Sequence, residues 1–259
     1  MLGVFDSGLG GLSVVRRLKE RVPHHELLFF ADQAHVPYGD REPNELASLL
    51  ARNIHFLNHA GVSMIVMGCN TSCAIAQQFG WPASSAPIVD LIESAALVIE
   101  RQGYRKVGVV ATTATVRATA YSRAITSRVP NARVFEVAEP ALVPLVEAGK
   151  AGTQEAHEAV AAVCDQLPSD LDAVILACTH YPILDLHFAD ALGEGVALID
   201  PAFEQAERAA TLAVANGIAH GVAPSTYITS GDLEPFRTAV RMITGEFEPN
   251  VKAVAPLAR

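Results

Sequence analysis

The feature that most narrows the folds open to this chain is an echo: its first part recurs, in outline, about 105 residues later. From Gly3 the chain reads GVFDSG, passes through a helical stretch to Arg21-Val22-Pro23, and enters a second apolar run. From Gly108 it reads GVVATT, and again reaches Arg128-Val129-Pro130 and an apolar run. A third match follows: IVMGCNT at 65–71 is answered by VILACTH at 174–180, 109 residues on. Three similarities in one order at nearly equal spacing point to a pseudo-duplication.

Each half alternates short apolar runs with amphipathic stretches. Leu2–Phe5, Leu27–Phe30, Met64–Met67, Ile88–Val89, Val107–Val110, Val134–Val137, Val174–Leu176 and Ala197–Ile199 read as buried strands. Leu12–Arg21, Asn44–Ala60, Glu93–Gln102, Arg117–Arg128 and Thr153–Leu167 read as helices. Continuous apolar strands separated by helices mean parallel sheets covered on both faces. The fold expected is α/β: two similar domains with parallel-rich sheets, pseudo-two-fold related around one cleft. Open α/β sheets bind ligands at the carboxyl ends of their strands, and two facing halves would bring two such edges together.

Composition removes several classes of function. Half the 259 residues are apolar, which excludes a disordered chain. Apolar stretches such as Leu27–Ala31 and Met64–Met67 fall far short of the roughly 18 residues a membrane span needs. No basic region precedes the first apolar run, so no secretory signal is visible and the cytoplasm is the expected location. The net charge is −9, and no Lys/Arg run is longer than Arg16-Arg17, which disfavours nucleic acid as a partner. None of the four lysines stands in a GK[ST] setting, so there is no P-loop. The four cysteines show no CxxC pattern, and they suit a reducing compartment better than a disulfide scaffold. No metal site is expected.

Two of those cysteines stand at matching places. Cys69-Asn70-Thr71 follows the strand Met64–Met67, and Cys178-Thr179-His180 follows Val174–Leu176. A thiol where a helix begins meets unpaired N–H groups and the positive end of the helix dipole, which should lower its pKa from about 8.5 toward neutrality. The alternative is that each is a small buried hydrophobe; their matched positions favour chemistry. Cys73 and Cys164 lack such a setting and read as core residues. Asp6-Ser7-Gly8 follows the first strand, where Asp6 either works in a site or caps the following helix. Gly8 to Ser13 gives only G-x-G-x-x-S, a weak dinucleotide fingerprint, with Asp32 as its ribose carboxylate. Val36-Pro37-Tyr38-Gly39 forms a rigid loop that either touches a small anion or simply turns the chain. Among nine histidines, His180 alone follows a candidate catalytic thiol.

FDSGLGGLSV, DQAHVPYG, CNTSCA, ATTATV, VPLVE and ACTHYPIL, in this order, resemble the glutamate racemases of the cofactor-independent aspartate/glutamate racemase superfamily, over roughly the first 200 residues. The resemblance implies two facing α/β domains and a cytoplasmic enzyme that interconverts L- and D-glutamate without cofactor, supplying D-glutamate for peptidoglycan. It makes Cys69 and Cys178 the catalytic pair, the first deprotonating the D-isomer and the second the L-isomer. Asp6 would assist Cys69; Glu147 and His180 would assist Cys178. Substrate contacts would be Asp6, Ser7, Tyr38, Gly39, Asn70, Thr71, Thr179 and His180. The C-terminal stretch would return to the first domain, giving 1–91 with 203–259 as one domain and 92–202 as the other. The partner is a small molecule, glutamate, and a homodimer is left open.

The chain departs from the family pattern at Asp90-Leu91-Ile92-Glu93-Ser94, where a Gly-x-Ile-x-Pro-like segment is usual near the expected domain crossover, a change that bears on hinge geometry and turnover. His35 replaces a common Arg, and Gly68 a common Ala. The residue chemistry supports the same reading. Inverting an α-carbon needs a base on one face and an acid on the other, and two thiols from two halves supply both. No Schiff-base lysine motif supports a pyridoxal enzyme. Aspartate or another acidic substrate, and a binding protein that kept the pocket, are the alternatives.

Overall fold

The computed structural model describes residues 1–218 and 224–256. The first half runs β1 (Leu2–Asp6), α1 (Leu12–Arg21), β2 (Leu27–Ala31), α2 (Pro43–His59), β3 (Met64–Met67), α3 (Asn70–Phe79), β4 (Ile88–Val89) and α4 (Leu91–Gln102). The second half runs β5 (Lys106–Ala111), α5 (Thr113–Arg117), α6 (Ala120–Arg128), β6 (Arg133–Ala138), α7 (Leu142–Glu147), α8 (Gln154–Cys164), β7 (Ala173–Ala177), α9 (Asp185–Leu192) and β8 (Ala197–Ile199). The chain closes with α10 (Pro201–Ala215), β9 (Thr226–Thr229), α11 (Leu233–Thr244) and β10 (Asn250–Ala253).

Two parallel sheets result. One has the order β10-β9-β2-β1-β3-β4 and the other β6-β5-β7-β8. The core of the first, β2-β1-β3-β4, matches the second strand for strand, so the echo in the sequence is an echo in topology. Every residue of β1, β2, β3 and β7 is buried, as their unbroken apolar sequences require of strands covered on both faces.

Period-two alternation divides the second sheet between two cores. Val107, Val109 and Ala111 of β5, with Ala173, Ile175 and Ala177 of β7, join a core continuous with that of the first sheet. Val110, Val174 and Leu176 face the other way and pack with Leu142, Val160, Val163 and Phe188. The halves are therefore joined by apolar packing through α4, α6 and α10. Gln205 of α10 donates from Nε2 to the carbonyls of Met67 (2.8 Å) and Val89 (2.9 Å), tying that helix to β3 and β4. Strands β9 and β10, which the apolar runs did not foreshadow, extend the first sheet beyond β2.

Two local features bear on the site, and the first differs from the sequence reading. The helix expected over 117–128 is broken into α5 and α6 at Thr119, which adopts φ +49°. Arg123 braces this break, donating from Nη1 to the Ala118 carbonyl (2.6 Å) and to Thr119 Oγ1 (2.8 Å). The crossover at Asp90–Ser94 is held by hydrogen bonds. Asp90 caps α4 by accepting from the Ile92 N–H at 2.6 Å, and Ser94 Oγ donates to the Asp90 carbonyl at 2.6 Å. Among the described residues, no helix is long and apolar enough to cross a membrane.

Candidate active site

In both sheets the strand order reverses between the first strand and the third of its half, β1/β3 and β5/β7. Such switch points open a crevice at the carboxyl ends of the strands. Here both crevices contribute to one cavity of about 330 Å³, lined by Ser7, Cys69 and Asn70 from one half and Thr112, Cys178 and His180 from the other. Tyr38, Gly39, Thr71, Glu147 and Thr179 also form its wall. All the expected site residues but one are thus brought together.

Asp6 is the exception: it lies behind the wall, 1% exposed. Its Oδ1 accepts from the Gly8 N–H at 2.6 Å and from Ser7 Oγ at 3.4 Å, and its Oδ2 accepts from Thr179 Oγ1 at 3.2 Å. The turn after β1 and the opposite half thus both engage the Asp6 oxygens. Burial pushes its pKa up to about 6, against the pull of Gly8, His180, Thr179 and Ser7.

The two sulfurs sit in different surroundings. Cys69 is the N-cap residue of α3 and its Sγ lies 3.5 Å from Ser7 Oγ. The lowered pKa expected of it from the helix terminus is not found. Burial, then the nearby charge of Asp6, push Cys69 up to about 11, although Ser7 and Ser72 oppose the shift. Desolvation outweighs the end of one helix. Cys178 does not head an α-helix, as its sequence match to Cys69 implied. A short 3₁₀ turn, Tyr181–Leu184, intervenes before α9. Its sulfur instead faces His180, 3.7 Å from Nδ1, and His180 Nε2 lies 3.2 Å from Glu147 Oε1. Burial disfavours a charge on His180, but Cys178 and Glu147 more than compensate and raise it to about 10. Glu147 in turn is lowered by its bond to His180.

The halves meet through the site. Thr71 and Thr112 hydroxyls are 3.0 Å apart, and Tyr121 Oη lies 2.5 Å from Asn70 Oδ1. Close approach also explains Gly10, where a Cβ would overlap the Thr179 side chain. The loop at 36–39 is more than a turn. Tyr38 Oη donates to Asp32 Oδ2 at 2.6 Å, and Asp32 also accepts from Ser230 Oγ at 2.9 Å and contacts His35 Nδ1 at 2.8 Å. Wholly buried and so engaged, Asp32 is no ribose ligand. Cys73 and Cys164 are buried away from the cavity wall, as their settings implied. Sequence reasoning missed Thr112 and Tyr121. Thr112 had a signal, since it occupies the place that answers Ser7 in the echo, whereas Tyr121 had none. Among the described residues, no group of three or more His, Cys, Asp or Glu could hold a metal ion.

A matched pair of parallel half-sheets with a thiol from each at one cavity defines a two-thiol α/β architecture. The family model for Asp/Glu/hydantoin racemases matches residues 9–209. A glutamate racemase of Gloeobacter violaceus is 38% identical over 257 residues, 98% of this chain and 96% of its own length. One of Desulforudis audaxviator is 42% identical over 203 residues, 78% of this chain and 74% of its own. The structure of glutamate racemase from Francisella tularensis in complex with D-glutamate superposes with a TM-score of 0.89 at 27% identity, covering 98% of this chain and 97% of that one. The chain belongs to the Asp/Glu/hydantoin racemase family.

Proposed function

We infer that this chain is a glutamate racemase that inverts the α-carbon with two cysteines and no cofactor. The observation that carries this reading is that Cys69 and Cys178, from matching strand ends of the two sheets, line the same cavity. In the L-to-D direction Cys178 takes the α-proton: the Cα–H bond breaks, and its electron pair spreads into the substrate carboxylate. Cys69 then gives its S–H proton to the opposite face. Its elevated pKa suits that role, because it stands ready as a thiol at neutral pH. His180, charged and held by Glu147, offers a positive group beside the Cys178 sulfur. In the D-to-L direction Cys69 must lose its proton, and Ser7 with Asp6 behind it is the group in reach.

Glutamate is the substrate named for each of the relatives described above, and the cavity suits a small amino acid. The cellular role that follows is supply of D-glutamate for peptidoglycan in the cytoplasm, by a chain that works alone or as a homodimer. The domain division, 1–91 with 203–259 against 92–202, belongs to the same reading. It is supported by the return of β9 and β10 to the first sheet; residues 219–223 and 257–259 lie outside the described residues.

A circular-dichroism assay of the purified protein with L-glutamate, then L-aspartate, and no added cofactor tests this. L-glutamate should lose optical activity and L-aspartate should not. Cys69→Ala and Cys178→Ala should each lower kcat by about a thousand-fold or more, while Cys73→Ala and Cys164→Ala stay active. Near-normal racemisation by either of the first two variants contradicts the reading.

A further inference from the structure

The cavity that would receive a dicarboxylic amino acid has no Lys or Arg among the described residues of its wall. Its one strongly basic side chain, His180, is engaged by Cys178 and Glu147. Carboxylate oxygens must therefore be met by neutral donors, and the direction in which each amide points decides whether it attracts or repels them.

Asn70 is such an amide, and its direction is set from outside the cavity. Tyr121 is fully buried on α6, in the second half, yet its hydroxyl lies 2.5 Å from Oδ1 of Asn70 at the start of α3 in the first half. Burial raises the phenol well above its ordinary pKa, so it remains an O–H donor. A buried hydroxyl without an acceptor is costly, and among the described residues Asn70 is the acceptor within its reach. If the amide were turned over, its nitrogen would face the phenol, and the phenol proton would have no acceptor. The backbone that aims Tyr121 inward is itself strained, with β-branched Thr119 at φ +49° two residues before it. Such conformations persist where the surrounding structure holds them, and here Arg123 does so.

We propose that Tyr121 is a positioning residue that fixes the polarity of the Asn70 amide, so that Asn70 presents its N–H donors to a carboxylate oxygen of the bound amino acid. The proposal rests on the reading of the chain as a glutamate racemase. Tyr121 touches no reacting atom; it acts through Asn70.

The test is steady-state racemisation of L-glutamate by Tyr121→Phe, Asn70→Ala and the double variant, with a thermal melt of each. Tyr121→Phe should raise KM about ten-fold, the worth of a hydrogen bond to a charged group, with kcat nearly unchanged. In the Asn70→Ala background the same change should add nothing, because contacting residues that act through one another are not additive. A purely structural role would lower kcat and the melting temperature together in both backgrounds. A KM within about two-fold of the parent in Tyr121→Phe, or effects that simply multiply in the double variant, overturns the proposal. Should Tyr121→Phe fail to fold, Asn70→Asp decides: it keeps the acceptor for Tyr121, removes the donors, and must raise KM at least as much. An unaltered KM in Asn70→Asp overturns the proposal. A parent protein that does not racemise glutamate defeats the functional reading and this inference together, whereas an active parent with an unaltered Tyr121→Phe defeats this inference alone.

Discussion

His180 carries a charge that its burial opposes, and the balance sets a pH dependence. Its pKa is raised to about 10 from an ordinary 6.5, so the folded state holds its proton more tightly than the unfolded state. Stability from this source is fully present below pH 6.5 and declines as pH rises toward 10. Thermal melts of the parent and His180→Asn between pH 6 and 10 should show a gap that narrows with rising pH; a constant gap would contradict the charge assigned to His180. At this scale the thiols were legible because they repeat, Cys69 and Cys178 each following an apolar strand in the same setting. The protonation of Cys69 was not legible, since desolvation depends on what packs around a group and not on its neighbours in the chain. The same holds for Asp6, whose type and position suggest a site but whose oxygens are occupied by residues as distant as Thr179. Tyr121 carries no local sign of its partnership with Asn70, 51 positions away.

Among the elements, the crossover into α4 is held by its own side chains. Asp90 and Ser94 form a capped helix start. The Ser94 N–H donates to the Asp90 carbonyl (3.2 Å), and Ser94 Oγ accepts from Arg208 Nη1 of α10 (2.9 Å). Asp90→Ala should therefore cost about 1 kcal/mol through the lost cap. Ser94→Pro should cost about 3 kcal/mol, since proline removes that N–H and its ring meets the Asp90 carbonyl. With about 2–4 °C per kcal/mol expected for a chain near this size, melting curves resolve both. An unchanged melting temperature in Ser94→Pro would show that the crossover is plastic after all. Strands β1 to β8 were readable because buried parallel strands are unbroken apolar runs. Strands β9 and β10 were not: Thr226–Thr229 and Asn250–Ala253 are short, and more than half of their residues are polar or exposed. The break between α5 and α6 was invisible for a different reason, because nothing in the residue type announces a threonine with positive φ.

For the molecule as a whole, the matching strand order of the two halves underlies both the fold and the site. Each half supplies one strand-end thiol, and a shared apolar core holds the two switch points toward one cavity. The halves differ in what surrounds each sulfur, serine and aspartate on one side and histidine and glutamate on the other. The central claim is that a different thiol acts on each face of the α-carbon. It is tested most directly by racemising L-glutamate in heavy water and following deuterium at the α-carbon of both isomers at early times. Two thiols predict that D-glutamate forms fully deuterated, because the donor sulfur has exchanged with solvent, while unreacted L-glutamate stays almost unlabelled. Original hydrogen returned to the product, or early deuterium appearing equally in both isomers, would mean a single base and would contradict the account.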